Sequence, residues 1–213
     1  MKTHSKRNLY RGLISLAAFL LWTAMVRRVD VQAIGPLGSA VGFAALNRSV
    51  HHLTGVHIPL YTVTDWLSLV PLGFVVGFAL LGLVQWIRRK DLLKVDRSIL
   101  ILGGYYAIVM AVFLFFERYV INYRPVLIDG VLEASYPSST TMLVLTVMPT
   151  AITQLKARIK QPVLRQIIVS LLAAFTGLMV IGRLFSGVHW FSDIIGGILL
   201  SAGLVWLYAF FTE

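Results

Sequence analysis

The stretch Gly182-Arg-Leu-Phe-Ser-Gly-Val-His-Trp-Phe-Ser-Asp193 runs straight into the apolar segment Ile194-Ile-Gly-Gly-Ile-Leu-Leu-Ser-Ala-Gly-Leu-Val-Trp-Leu-Tyr-Ala-Phe-Phe211. Counted from Phe191 to Phe211, the second half is close to the ~20 residues that a helix needs to cross a bilayer. The first half concentrates charge in a chain whose apolar stretches leave few places for it. Arg183 carries a planar fork of donors suited to phosphoryl oxygens. His189 and Asp193 are spaced to share one face of a helix, so the carboxylate can hold one ring nitrogen and leave the other free to attack. A charged cluster at the end of a span points to function rather than packing.

The rest of the chain extends that reading. Of its 213 residues 58% are hydrophobic and only 13% charged, with a mean hydropathy of +0.81. This is the composition of an integral membrane protein. The apolar stretches predict an all-α, polytopic bundle of six transmembrane helices forming a single membrane domain over residues 1–213. The spans are Gly12 to Val26, Trp66 to Ile87, Ser98 to Phe116, Thr141 to Leu155, Val163 to Ile181 and Phe191 to Phe211. Trp22, Trp66, Trp86, Trp190 and Trp206 fall near span ends, where aromatic belts form. The longest connection, Arg27 to Asp65, is broken at Gly35-Pro36 and His57-Ile-Pro59, and Leu37 to Leu53 predicts a short amphipathic helix lying in the interface.

A formal charge of +10 raises the question of nucleic acid. The basic residues instead follow a membrane topology, which argues against a nucleic-acid partner. Lys2, Lys6, Arg7 and Arg11 precede the first span; Arg88, Arg89, Lys90, Lys94 and Arg97 lie between the second and third; Lys156, Arg158, Lys160 and Arg165 lie between the fourth and fifth. These 13 of 19 Lys and Arg occupy alternate connections, which the positive-inside rule puts in the cytoplasm with both termini. The loops Glu117 to Thr140 and Gly182 to Trp190 then face outward together, in a multi-pass protein of the cell membrane. The first span has the basic start and short apolar centre of a signal peptide, but no small-x-small cleavage pattern follows Trp22, so it reads as a retained span.

Zero cysteines exclude disulfides, thiolate metal sites and a cysteine nucleophile. His51, His52 and His57 have no carboxylate or cysteine nearby to complete a ligand set, so no metal is expected and they read as interfacial. Gly73 and Gly77 in the second span, with Gly196, Gly197 and Ser201 in the sixth, predict close helix approach. No internal repeat, low-complexity tract or soluble-domain boundary is apparent.

Two further motifs lie on the outward side. Asn122-Tyr-Arg-Pro125 follows the third span, and Pro137-Ser-Ser-Thr-Thr141 opens the fourth. Taken with Arg183 to Asp193, the chain resembles the type-2 phosphatidic-acid phosphatase family, whose signature is Lys-x6-Arg-Pro, then Pro-Ser-Gly-His, then Ser-Arg-x5-His-x3-Asp. The motif region runs from residue 117 to 193. The resemblance implies a six-helix membrane enzyme that cleaves a lipid phosphate or diphosphate without metal or other cofactor. His189 would form a phosphohistidine, Asp193 would orient it, and Arg124, Arg183 and the Ser138, Ser139 and Thr140 segment would bind the phosphate. Such chemistry needs mainly positioning and charge stabilisation, which two arginines and a helix start can supply.

The chain departs from the signature at four places: Glu117 for Lys, Ser139 for Gly, Thr140 for His and Gly182 for Ser. Glu117 reverses a charge, and pairs with Arg118 or Arg124 or faces away. Thr140 replaces the family's general acid; a threonine hydroxyl donates a hydrogen bond but is a poor proton donor at neutral pH, and Thr140 alone reads as a helix cap. Glu133 and Tyr123 are the candidates to replace it. The expected function is therefore a lipid phosphatase with a preference for prenyl diphosphates, undecaprenyl diphosphate among them. The alternative is an impaired relative that binds phosphorylated lipid headgroups.

Overall fold

The computed structural model describes residues 3–212; Lys2, one of the basic residues before the first span, lies outside them. Among the described residues the helices are α1 (Thr3–Val26), α2 (Ala44–Thr54), α3 (Ile58–Leu67), α4 (Leu69–Arg89), α5 (Arg97–Arg118), α6 (Ser139–Arg158), α7 (Pro162–Phe185) and α8 (Phe191–Thr212), with 3-10 turns at Pro36–Gly38 and Leu92–Lys94. Extended backbone pairs only as isolated antiparallel bridges.

Five helical segments are long and apolar enough to cross a membrane: Ser5–Val26, Ile58–Arg89, Arg97–Arg118, Pro162–Phe185 and Phe191–Thr212. Their large apolar side chains point outward, as with Leu72, Val76 and Leu80 on α4 and Leu171, Leu178 and Ile181 on α7. So much exposed apolar surface suits hydrocarbon rather than water. The chain is an all-helical, multi-pass membrane protein. The expected span Thr141 to Leu155 lies within α6, which is not apolar enough to count among the five. The reason is its position. Helix α6 packs against α4, α5, α7 and α8, so ten of its twenty residues are buried against protein. Three of its threonines bond back to the helix backbone, Thr146 Oγ1 donating to Met142 O at 2.7 Å, Thr150 Oγ1 to Val147 O at 2.9 Å and Thr153 Oγ1 to Pro149 O at 3.0 Å. A helix enclosed by its neighbours needs no lipid-compatible surface.

The connecting helix α2 is shorter than the expected Leu37 to Leu53. Leu37 (φ 55°), Gly38 (φ 73°) and Phe43 (φ 50°) are left-handed, which stops a right-handed helix from starting before Ala44. The glycine expectations divide. At Gly196 an added Cβ would lie 2.6 Å from the Tyr136 ring, so the absence of a side chain there admits the aromatic between α8 and the α5–α6 connection. Around Gly73 and Gly77 there is open space, because a cavity of about 500 Å³ separates them from Leu155 and Arg158 of α6.

The strongest helix pairing is α1 with α8. It is tied at one end by the Trp22 indole donating to Ser192 O at 3.0 Å, and at the other by Arg11 stacked 4.7 Å over Trp206. The second of these ends gathers the basic residues, including Arg89, paired with Asp96 at 2.9 Å. The first end gathers the three motifs.

Candidate active site

Local chain chemistry puts the motifs side by side. Between α5 and α6 the chain folds back on itself as a narrow hairpin. Arg124 N donates to Glu133 O (3.0 Å), Ser135 N to Asn122 O (2.9 Å), and Ile128 and Val131 exchange bonds across Asp129 (φ 50°) and Gly130 (φ 77°). Two central left-handed residues of the Asp-Gly type are what a tight hairpin turn requires. The fold-back lines up Asn122, Arg124 and Ser135.

The second wall is the turn between α7 and α8. Gly187 is left-handed (φ 70°), and a Cβ there would fall 2.0 Å from the Gly55 carbonyl oxygen. The last turn of α2 and the α2–α3 connection clamp this turn: His57 N donates to Ser186 O at 2.9 Å, and the His51 ring nitrogen Nε2 lies 3.1 Å from Gly187 O. His51 and His57 therefore serve the backbone of the site, and among the described residues no histidine and carboxylate cluster could hold a metal ion. Trp190, expected in an aromatic belt, is buried, its indole donating to Tyr123 O at 2.8 Å.

His189 lies in this turn, before α8 begins, while Asp193 sits in the first turn of α8. They do not share a helix face as expected. Ser135 joins them instead. Asp193 is fully buried; its Oδ2 accepts from Ser135 Oγ (2.6 Å) and from Trp190 N (3.0 Å), and its Oδ1 from Asn122 Nδ2 (3.0 Å). The Trp190 bond is a carboxylate reaching back to the start of its own helix, so Asp193 also caps α8. With its one proton given to Asp193, the Ser135 oxygen accepts the Nδ1 hydrogen of His189 at 3.0 Å. This assigns the proton to Nδ1 and leaves Nε2 unprotonated, its lone pair toward Arg183 Nη2. Burial, followed by the nearby Arg183 and Arg124 charges, pushes the His189 imidazole well below its ordinary range and keeps it neutral.

Nε2 faces the cations. Arg183, 1% exposed, places Nη2 3.4 Å from Nε2 and donates through Nη1 to Thr64 Oγ1 at 3.3 Å. The guanidinium groups of Arg183 and Arg124 lie 4.9 Å and 5.6 Å from the same Tyr61 ring. Arg124 Nε approaches Glu133 Oε2 at 3.0 Å as an ion pair without hydrogen-bond alignment. Arg124 Nε and Nη1, Arg183 Nε and Ser138 Oγ are buried with no hydrogen-bond partner. Each unpaired buried donor costs on the order of 1–3 kcal/mol, and an oxyanion is the kind of group such donors pair with.

Ser138 is the residue before the first turn of α6; its own N–H donates to Asp193 O at 3.1 Å. Ser139 and Thr140 lie in that first turn, so Thr140 does not cap the helix as expected. The expected anchors Arg124, Ser138, Arg183, His189 and Asp193 thus lie together, linked through the Tyr61 ring, Ser135 and the Ser138 N–H. Ser139 and Thr140 line an adjoining cavity of about 330 Å³ whose other walls include Asp65 and the apolar Leu72, Val109 and Phe113. Glu117 is exposed at the end of α5, and the carboxylate beside Arg124 is Glu133. Sequence reading missed Ser135, Asn122, Tyr61, Thr64 and Asp65. It also missed Asn47, whose amide bonds both the N–H and the hydroxyl of Ser192. Of these, only Asp65, a lone carboxylate beside an apolar run, carried a sequence signal.

The overall arrangement has a solved counterpart. The first transmembrane PAP2 type phosphatidylglycerolphosphate phosphatase from Bacillus subtilis superposes with a TM-score of 0.64 over 96% of each chain, at 17% sequence identity. At that identity the likeness speaks for the fold. A comparison with curated proteins gives no match. The family model described as PAP2 superfamily matches residues 105–213, just over half the chain and all three motifs. With the arginines, histidine and aspartate of those motifs gathered at one end of a helical membrane bundle, the chain belongs to the PAP2 superfamily.

Proposed function

We propose that this protein is a membrane lipid phosphatase that hydrolyses a lipid phosphate, with prenyl diphosphates favoured, at the extracytoplasmic face through a phosphohistidine on His189. The observation that carries the reading is the His189 ring, with Nδ1 held by Ser135 and Asp193 and Nε2 directed at Arg183 beside unpaired arginine donors. In this reading Nε2 attacks phosphorus, Arg124, Arg183 and Ser138 hold the equatorial oxygens, and the N–H groups of Ser139 and Thr140 add the positive end of α6. The apolar walls of the adjoining cavity suit a hydrocarbon tail. The test is phosphate release by purified protein across prenyl diphosphates, prenyl monophosphates and phosphatidic-acid-type lipids. Binding without release of phosphate from any of them would favour the impaired binder, which the threonine at position 140 keeps in view.

The sidedness rests on α6 as a sixth crossing, α2 in the interface and both termini in the cytoplasm with the basic connections. A cysteine placed at Val131, exposed on the hairpin, should react with a membrane-impermeant thiol reagent in intact cells, whereas one at Leu93, exposed in the α4–α5 connection, should not. Labelling at residue 93 alone would reverse the topology.

The substrate preference turns on Thr140. A lipid monophosphate must expel an alkoxide, whose conjugate acid is about as weak as water. A diphosphate expels a phosphate monoester with a second pKa near ~6, which leaves without a proton. General acid catalysis is worth ~10²–10⁴-fold, so Thr140→His should raise monophosphate turnover by at least ~10-fold more than diphosphate turnover. Equal gains on both substrates would contradict the preference.

A further inference from the structure

Helix α3 contributes to the site through one face. Tyr61, Thr64 and Asp65 follow the i, i+3, i+4 spacing, and all three address Arg183: the Tyr61 ring at 4.9 Å, Thr64 Oγ1 at 3.3 Å and Asp65 Oδ1 at 3.9 Å. The first two contacts hold the guanidinium in place. The third is of a different kind. At 3.9 Å it is no hydrogen bond, and no other hydrogen bond reaches the Asp65 carboxylate among the described residues, so its oxygens keep their accepting capacity. Asp65 also lies within the 32-residue apolar run Ile58–Arg89, with its side chain 57% exposed and so open to water and substrate.

Its position relative to the reaction is specific. Arg183 presents Nη2 to His189 Nε2 and Nη1 to Asp65, so the carboxylate stands across the guanidinium from the nucleophile. Asp65 lines the same cavity as Ser139 and Thr140, where the signature histidine is missing. The other nearby carboxylate, Glu133, is held 3.0 Å from Arg124, and its backbone is fixed in the hairpin.

Building on the reading of His189 as the phosphate-accepting nucleophile, we propose that Asp65 is the general base of the second step, activating the water that hydrolyses the phosphohistidine. The water oxygen bonds to phosphorus as the Nε2–P bond breaks, and the bonding pair returns to Nε2, leaving neutral imidazole with its proton on Nδ1. One water proton passes to the Asp65 carboxylate and the other stays on the phosphate, which departs as hydrogen phosphate. Asp65 then gives its proton to solvent. The division of labour matches the cavity: a carboxylate accepts a proton in the second step, while a diphosphate substrate needs no donor in the first.

The experiment is rapid-quench turnover of the full chain with farnesyl diphosphate labelled in its terminal phosphate, comparing wild type with Asp65→Asn. The variant should release about one equivalent of farnesyl monophosphate in a burst and trap alkali-stable label on His189. Its steady state should then run at least ~10²-fold below wild type, in line with loss of a general base. Azide, which attacks without giving up a proton, should restore turnover, and Asp65→Glu should retain part of it. Burst and label also report that the variant's site is folded. Turnover within about threefold of wild type, or slow turnover with neither burst nor label in a variant that elutes as wild type does, overturns the assignment while the phosphatase reading stands. Absence of turnover in wild type with every lipid phosphate removes that reading and this one with it.

Discussion

Replacing His189 with alanine is expected to abolish phosphate release and covalent labelling, with a loss on the order of 10⁶-fold, the scale for deleting a covalent nucleophile. The loss follows from the ring itself, because Nε2 is the nitrogen that the Ser135 and Asp193 arrangement leaves unprotonated. Asp193→Asn should lose on the order of 10⁴-fold, since the amide is uncharged and has one acceptor oxygen where donors approach both carboxylate oxygens, so the hold on Ser135 and the tautomer is weakened. Because Asp193 acts on the ring through Ser135, Ser135→Ala combined with Asp193→Asn should be little worse than Asp193→Asn alone, and additive losses would sever that chain. The pH profile carries a separate check. Burial and the two arginines depress the His189 pKa, so the free enzyme keeps its nucleophile neutral as pH falls past the ordinary histidine value and loses it only well below. An acid limb in kcat/KM near pH 6 should therefore track the second ionisation of the substrate phosphate and move with the substrate used. A limb fixed near pH 6.5 across substrates of different pKa would contradict a neutral, buried His189.

Arg183→Ala should lower turnover by about 10²–10³-fold, the range for removing one preorganised donor from developing charge. Arg183 is nearly inaccessible and is oriented by Thr64 Oγ1 and the Tyr61 ring, so its fork is in place before substrate arrives. Lysine should rescue poorly: its ammonium is a point charge that cannot present two parallel N–H groups or stack on Tyr61. Titration with inorganic phosphate separates ground-state binding from catalysis. If Arg183→Ala leaves both phosphate affinity and turnover at wild-type level, the pocket has been assigned to the wrong residues.

The parts of the site legible in the sequence are those whose chemistry is unusual for a membrane protein. Arg124, Arg183, His189 and Asp193 stand out because charge in apolar surroundings is rare, and their spacing carried the family resemblance. Ser135, Asn122 and Asn47 are ordinary polar residues in polar loops, and nothing in composition separates them from solvated neighbours. The Asp129-Gly130 pair was a readable hairpin signal; it is this hairpin, unread in the sequence, that carries Ser135 to the histidine.

The sequence by itself determined the apolar helices, the alternation of basic connections and the three motifs, because hydropathy, charge and turn chemistry act locally along the chain. Only the tertiary structure decided which polar groups meet. The spacing of His189 and Asp193 suggested one helix face, yet the left-handed Gly187, packed against Gly55, ends α7 and leaves His189 in a turn where Ser135 must bridge to Asp193. Helix α6 fell short of the apolarity of a span because its surroundings are protein, and burial of that kind depends on neighbours far away in the chain. Asp65 and Thr64 reach Arg183 across more than a hundred residues of sequence because α3 packs on α7. Local physics sets the elements; the partners of a buried charge are set by the packing that excludes water from it.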